Sequence, residues 1–146
     1  IDNLNQLLKK LKFNYLQLHG NENNEYIKYI KDNNDIKVIK AIPIRSSKDL
    51  LNLSNYSNAD IYLFDYKPLE NELPGGNAKN FNWELMKNIQ INKKWFLSGG
   101  ININNILNIK HFTIPYGIDI SSGVEVKPGI KSNDKIKSLT KLYGSK

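Results

Sequence analysis

Apolar and polar positions recur along the chain with two different periods. Short β-branched or aromatic runs predict five strands, at residues 15–18, 37–42, 61–64, 95–97 and 117–120. Amphipathic stretches predict six helices, at residues 2–12, 22–33, 47–56, 83–89, 104–109 and 133–142. This alternation favours an α/β fold with a parallel sheet, because parallel neighbours need a crossover long enough to hold a helix. No linker divides the chain, so we expect residues 1–146 to form a single domain.

Five parallel strands fit two architectures. One is a complete flavodoxin-like sheet, and the other is part of a (β/α)8 TIM barrel with helices outside. The longest irregular stretch, residues 66–80, follows the third predicted strand and contains Pro68, Pro74, Gly75 and Gly76. Long loops between a strand and a helix are usually functional. The periodicity does not distinguish these two folds. The residues at the strand ends have to decide between them.

Composition and charge exclude several classes of protein. The absence of Cys excludes disulfides, zinc–Cys clusters and Cys nucleophiles within these residues, and it disfavours a small secreted domain. We therefore expect a cytoplasmic protein. The formal charge is +7, but the Lys residues are scattered and Arg45 is the only Arg, which favours solvated helix faces over a nucleic-acid surface. No membrane-spanning run is visible, so we expect neither a nucleic-acid nor a membrane partner, but a small anionic substrate.

Two glycine-containing turns follow the last two predicted strands. Gly99 and Gly100 come after the fourth strand, and Ser121, Ser122 and Gly123 come after the fifth, where a short extra helix is expected. Such residues expose backbone N–H groups and hydroxyls that bind anions. A single glycine pair often marks only a tight turn, but two consecutive strands favour a phosphate site, as in barrels whose last two strands carry it.

Two titratable side chains follow predicted strands. Asp65 ends the apolar third strand, where a partly desolvated carboxyl group is suited to general acid catalysis; a capping or salt-bridge role is the alternative. His19 follows the first strand and can donate to a substrate hydroxyl or carboxylate, although a lone His at a strand end is commonly structural. The chain has no Walker A loop, no G-x-G-x-x-G fingerprint and no metal-site spacing. We expect no cofactor and no metal.

Seven segments in order resemble the phosphoribosylanthranilate isomerase family of tryptophan biosynthesis, and Pro128 and Gly129 continue the match. The segments are Leu16-Gln17-Leu18-His19-Gly20, Ile39-Lys40-Ala41, Leu63-Phe64-Asp65, Pro74-Gly75-Gly76-Asn77, Phe81-Asn82-Trp83, Leu97-Ser98-Gly99-Gly100-Ile101 and Asp119-Ile120-Ser121-Ser122-Gly123-Val124-Glu125. The resemblance spans essentially the whole chain. It implies a partial barrel in which the five strands are the family's fourth to eighth. The start at Ile1, without Met and inside an amphipathic run, fits a C-terminal portion lacking roughly the first three strands.

The resemblance also implies the chemistry. The family converts an N-glycosylamine into an amino-ketose by an Amadori rearrangement, in which a carboxylic acid protonates the ribose ring oxygen and a Cys takes the C2′ proton. Asp65 matches the acid, while the Cys base and an Arg of the second loop have no counterpart, so the fragment alone is expected to be inactive. His19 and Asp119 match residues that bind substrate. The residues that match the phosphate-binding loops are Gly99, Gly100, Ser121, Ser122 and Gly123, and those that match the active-site loop are Gly75 and Gly76.

Two departures and two alternatives remain. Ala78 stands where the family usually has Gly, and Asn82 stands where it usually has Asp, which predicts altered loop closure. A different phosphate-binding barrel, such as indole-glycerol-phosphate synthase or a histidine-pathway isomerase, shares the phosphate loops, but Asp65 with Gly75 and Gly76 speaks against it. A self-contained five-stranded module that binds nucleotides or nucleic acid is the alternative from another class.

Overall fold

One parallel sheet forms the centre of the molecule. The computed structural model describes residues 2–69, 80–87 and 89–144. The strands are β1 (Tyr15–Leu18), β2 (Lys37–Ile44), β3 (Ile61–Tyr66), β4 (Lys94–Leu97) and β5 (Gly117–Ile118). Every neighbouring pair is parallel, and the spatial order β1-β2-β3-β4-β5 is the chain order. The predicted α/β fold with five parallel strands is confirmed.

The strand bounds differ from the prediction at four places, one of which is that β4 begins one residue earlier, at Lys94. β2 and β3 each continue two residues further, because Pro43, Ile44, Asp65 and Tyr66 are still paired. β5 ends at Ile118 rather than at residue 120. The N–H of Asp119 still donates to the carbonyl of Leu97 at 2.8 Å, but the chain then turns at Ser121 into a 3-10 turn. The predicted last strand was therefore too long by two residues.

Helical segments cover the crossovers, and several are shorter than predicted. The α-helices are α1 (Asp2–Lys10), α2 (Asn24–Asn33), α3 (Ser47–Leu50) and α4 (Asn133–Gly144). The predicted helices at 83–89 and 104–109 are 3-10 turns, Trp83–Met86 and Ile106–His111, and the second half of 47–56 is the 3-10 turn Leu53–Tyr56. Asn precedes each of these turns, and the side-chain oxygens of Asn82 and Asn105 accept local backbone N–H groups, those of Glu84 and Asn102. Within the described ranges, no helix has the length and apolarity needed to cross a membrane.

The main core lies between the sheet and the helical layer. Alternate strand residues such as Ile42, Phe64 and its neighbour in the sheet Leu97 belong to it and are at most 3% exposed. They share this core with Ile27 of α2 and Ile109 of the turn Ile106–His111, neither of which is exposed. Because successive strand residues point to opposite faces, the residues between these core positions face the other side of the sheet. That second face carries His19, Asp65 and Asp119 at its carboxyl edge.

A small hairpin follows the sheet and was not predicted. Its strands are β6 (Glu125–Lys127) and β7 (Ile130–Lys131), which pair antiparallel with an irregular register. Gly129 in its turn has φ of 81°, a conformation that favours glycine. The N–H of Ser132 returns to the carbonyl of Val124 at 2.7 Å, so the hairpin holds the start of α4 close to the end of the sheet.

Candidate active site

An imidazole and a carboxylate meet at the carboxyl edge of the sheet. Nε2 of His19, just after β1, lies 3.5 Å from Oδ2 of Asp65 near the end of β3. The Asp65 side chain is 15% exposed, whereas that of His19 is 48% exposed. The second carboxylate oxygen of Asp65 accepts a hydrogen bond from the N–H of Tyr66 at 2.8 Å. Two residues predicted separately as site residues are thus in contact.

Asp119 brings a second carboxylate to the same edge. It follows β5 and remains accessible to solvent. Partial desolvation of its carboxyl group is the largest cause that raises the pKa of Asp119, and repulsion from Asp65 is the next. The charges of His19 and Lys131 oppose this rise. The three predicted site side chains, His19, Asp65 and Asp119, are therefore close enough to interact electrostatically.

The first of the two glycine loops is held in a conformation that only glycine adopts easily. Gly99 has φ of 85° and Gly100 has φ of 62°, both in the left-handed region. The carbonyl of Gly100 accepts hydrogen bonds from the side-chain amides of Asn102 and Asn105, at 3.1 and 2.9 Å. The asparagines fix the orientation of the loop.

The second glycine loop packs directly on the first. A Cβ on Gly123 would lie 1.9 Å from the carbonyl oxygen of Ile101, which belongs to the segment after β4. A short 3-10 turn, Ser122–Val124, begins in this loop, as the sequence predicted. The backbones of the two loops therefore form one continuous wall at the carboxyl edge.

A lysine from the hairpin is attached to this wall. Nζ of Lys131 donates to both the carbonyl and the hydroxyl oxygen of Ser121 at 2.9 Å, and it pairs with Glu125 at 2.7 Å. The positive charge of Lys131 also opposes the rise in the pKa of Asp119. The sequence analysis missed Lys131, because the order of residues in β6 and β7 does not show that this side chain contacts Ser121.

A second missed lysine lies behind His19. Lys40 in the middle of β2 is 1% exposed, and its Nζ donates to the carbonyl of Gly20 at 2.8 Å. A charged residue within the apolar run of β2 was the available signal. Among the described residues, no group of three or more His, Asp or Glu side chains is arranged to hold a metal ion.

Of the two positions that differ from the family pattern, Ala78 and Asn82, the structure describes only Asn82. Gly75, Gly76 and Ala78 lie outside the described residues. Asn82 is described, and its side-chain oxygen accepts a hydrogen bond from the N–H of Glu84 at 3.0 Å, where it begins the turn Trp83–Met86. Asn and Asp are similarly good at this position, so the substitution keeps the cap.

Comparison with known proteins gives one family. The family model described as N-(5'phosphoribosyl)anthranilate (PRA) isomerase matches residues 1–142. N-(5'-phosphoribosyl)anthranilate isomerase of Rhizobium etli strain CIAT 652 is 42% identical over 124 residues, which are 84% of this chain and 56% of that protein. The chain thus spans little more than half the length of such relatives.

Solved structures of proteins with this name share the fold of the chain. Phosphoribosyl anthranilate isomerase from Thermotoga maritima is 30% identical, with a TM-score of 0.81 over 98% of this chain and 68% of that one. The Thermus thermophilus structure is 26% identical, with a TM-score of 0.79 over 99% and 67%. A further isomerase structure, 28% identical with a TM-score of 0.75 over 98% and 66%, is in complex with reduced 1-(o-carboxyphenylamino)-1-deoxyribulose 5-phosphate.

The contact between the two glycine loops predicts the effect of Gly123→Ala. The added methyl group overlaps the Ile101 carbonyl, so the loops must separate, and we expect unfolding to become easier by about 2 kcal/mol or more. Chemical denaturation measures this change. Gly144→Ala is the control, because no atom lies within 4 Å of its Cβ position, and its stability is expected to be unchanged or slightly higher. Equal stabilities of the two variants would contradict the close contact.

The electrostatics of Asp119 predict opposite shifts in two variants. Asp65→Asn removes the repelling charge and is expected to lower the pKa of Asp119, whereas Lys131→Met removes an attracting charge and is expected to raise it. Carboxyl ¹³C NMR titration reports both. Because folding raises this pKa, stability falls as the pH rises from the ordinary Asp value through the raised one, and Asp119→Asn should remove that fall. A pKa of Asp119 that moves in neither variant would show that the groups are not coupled.

Proposed function

This chain belongs to the phosphoribosylanthranilate isomerase family, and we propose that it provides the acid and phosphate-binding part of an isomerase of tryptophan biosynthesis. The proposed reaction converts N-(5-phosphoribosyl)anthranilate into 1-(2-carboxyphenylamino)-1-deoxyribulose 5-phosphate. The contact between Asp65 and His19, beside two joined glycine loops, is the observation that carries the proposal. The complex of a solved relative with the reduced form of this product supports the choice of substrate.

Asp65 is the proposed general acid. In the acid step its carboxyl proton goes to the ribose ring oxygen, the bond from that oxygen to C1′ breaks, and the nitrogen lone pair forms a C1′=N iminium. The low exposure of Asp65 supports this role, because a group in a site that excludes water interacts more strongly with the substrate than one in bulk water. Its hydrogen bond from the Tyr66 N–H fixes one oxygen and leaves the other directed to His19.

The second proton transfer needs a base that these residues do not supply. Removal of the C2′ proton from the iminium gives an enol-amine, which becomes the amino-ketose when C1′ takes up a proton and the C2′ hydroxyl loses its proton to form the carbonyl. The family's base is a Cys, and the sequence contains none. We therefore propose that the 146 residues are inactive alone and that the base, like a second-loop Arg, lies on strands outside them.

The remaining site residues have binding roles in this proposal. Gly99, Gly100, Ser121, Ser122 and Gly123 bind the substrate phosphate through backbone N–H groups and hydroxyls. The positive φ values of Gly99 and Gly100 and the attachment of Lys131 to Ser121 support a pre-formed anion site. His19 and Asp119 orient the substrate, whereas Gly75 and Gly76 lie outside the described residues. No cofactor takes part, and a cytoplasmic location is proposed.

The sheet is proposed to be part of a barrel. Its strands correspond to the fourth to eighth strands of a (β/α)8 barrel formed as one domain, and three more strands are needed to join β5 to β1. The edge positions of β1 and β5 support this, as do solved relatives of which the chain covers about two thirds. A self-contained five-stranded module does not need such partners.

Asp65→Asn tests the proposed acid in the complete protein. We expect kcat to fall about a hundredfold to ten-thousandfold with little change in KM, because a proton donor is lost while binding contacts remain. Steady-state isomerase assays measure both constants. Asp32→Asn is the matched control, since its side chain is 57% exposed and pairs with Lys28 on α2. Unchanged turnover in Asp65→Asn would refute the role of Asp65, and a complete protein lacking a Cys on the first strand and an Arg after the second would refute the assignment.

The proposed barrel predicts the behaviour of the isolated 146 residues. Within the described residues β1 and β5 are the edge strands of the sheet, and open edges favour association with other strands, so we expect self-association or aggregation. A supplied N-terminal segment carrying the three proposed strands should suppress it, whereas a segment of the same composition in scrambled order should not. Sedimentation velocity and chemical denaturation distinguish the cases. A monomer that unfolds cooperatively and ignores the segment would instead support a self-contained module.

A further inference from the structure

Lys40 is the one charged residue that is buried among the described parts of the chain. It lies in the middle of β2, is 1% exposed, and faces the helical layer between Val38 and Ile42. Removing an ammonium group from water is costly unless its donors are satisfied. A residue of this kind needs a specific set of partners.

Three oxygen atoms satisfy the three donors of Lys40. Its Nζ donates to the carbonyls of Gly20 and Ala41, at 2.8 and 3.0 Å, and to Oε2 of Glu22 at 3.1 Å. The ammonium also lies 5.4 Å from the centroid of the Tyr56 ring. Two of the three oxygen partners, Gly20 and Glu22, belong to the loop that follows β1.

Glu22 completes the arrangement from the other side of Gly20. Its carboxylate accepts the N–H of Gly20, with oxygen distances of 3.0 and 3.3 Å. Both main-chain polar groups of Gly20 are therefore held, its N–H by Glu22 and its carbonyl by Lys40. A Cβ on Gly20 would lie 2.9 Å from Oε1 of Glu22, so glycine leaves room for the carboxylate.

The residue before Gly20 is His19. The imidazole is half-exposed and lies 3.5 Å from Asp65, and a contact of this length to an exposed side chain orders it only weakly. The position of His19 therefore depends on the backbone that carries it. Lys40 and His19 lie on opposite sides of the sheet, so Lys40 acts on the site through the backbone of Gly20 and not by touching substrate.

We propose that Lys40 and Glu22 are a positioning pair that fixes the backbone of Gly20 and so holds His19 against Asp65 in the reactive geometry. The proposal rests on the proposed function, because it assigns the pair a purpose in the isomerase site. The pair is distinct from the acid, the base and the phosphate loops. Its effect reaches the reaction through the placement of the imidazole.

Lys40→Met and Glu22→Gln in the complete protein test the pair. Misplacing a substrate-orienting group lowers the rate more than substrate affinity, so we expect kcat to fall about tenfold to a hundredfold in each, with a smaller change in KM. The double variant should lose no more than the larger single loss, because both residues act on Gly20. Glu22→Gln keeps the size of the side chain and serves if Lys40→Met does not fold.

NMR separates positioning from loss of stability. The His19 imidazole signals and the Gly20 amide signal are expected to shift in both variants, while the signals of His111, at the end of the turn Ile106–His111, stay in place. Lys31→Met is the matched control, because Lys31 also pairs with a carboxylate, Asp60, but at the amino edge of the sheet. It should lower stability yet leave kcat and the His19 signals unchanged.

Three outcomes overturn the positioning role. They are wild-type kcat in Glu22→Gln, His19 signals that do not move in either variant, and loss of activity in Lys31→Met equal to that in Lys40→Met. A failure of the proposed function is recognised separately. In that case the unaltered complete protein lacks isomerase activity, while the His19 and Gly20 signals still respond to Lys40→Met.

Discussion

In a parallel sheet whose strands follow one another in chain order, every strand ends at the same edge and every crossover returns along the same face. The candidate site depends on this constraint. It brings His19 after β1, Asp65 in β3 and Asp119 after β5 to one rim, although they are far apart in the sequence. It also leaves one face of the sheet for the helices, and the polar groups collect at the carboxyl edge of the other face.

The charges at this rim are balanced locally. Two carboxylates, Asp65 and Asp119, lie opposite two basic side chains, His19 and Lys131, and the repulsion between the carboxylates contributes to the raised pKa of Asp119. Lys131 also belongs to the glycine-loop region, since its Nζ donates a hydrogen bond to Ser121. An anion bound there would meet a wall whose positive groups are partly neutralised by Glu125. The wall is therefore suited to an anion held mainly by N–H and O–H donors rather than by free cations.

The sequence predicted those features that depend on local patterning. Strand β1 was predicted with its observed ends, because four alternating residues lie between clear turn signals, and Asp65 and the glycine loops were found because they directly follow apolar strands. The 3-10 turns were predicted as helices, since apolar spacing does not show that Asn82 and Asn105 bind backbone N–H groups locally. The hairpin and the contact of Lys131 with Ser121 depend on tertiary packing. Periodicity contains no information about either.

The buried charge of Lys40 is not explained by stability alone. A buried ion pair replaced by apolar groups of similar size is often as stable or more stable, so a Met at position 40 with a neutral residue at 22 would serve the core equally well. What an apolar side chain cannot do is donate to the Gly20 carbonyl. That carbonyl and the Gly20 N–H belong to the loop that passes from the sheet to α2. Without these two hydrogen bonds, the conformation of the loop at Gly20 would not be fixed. The charge is therefore best understood as fixing the backbone of Gly20, the residue that follows His19 at the rim.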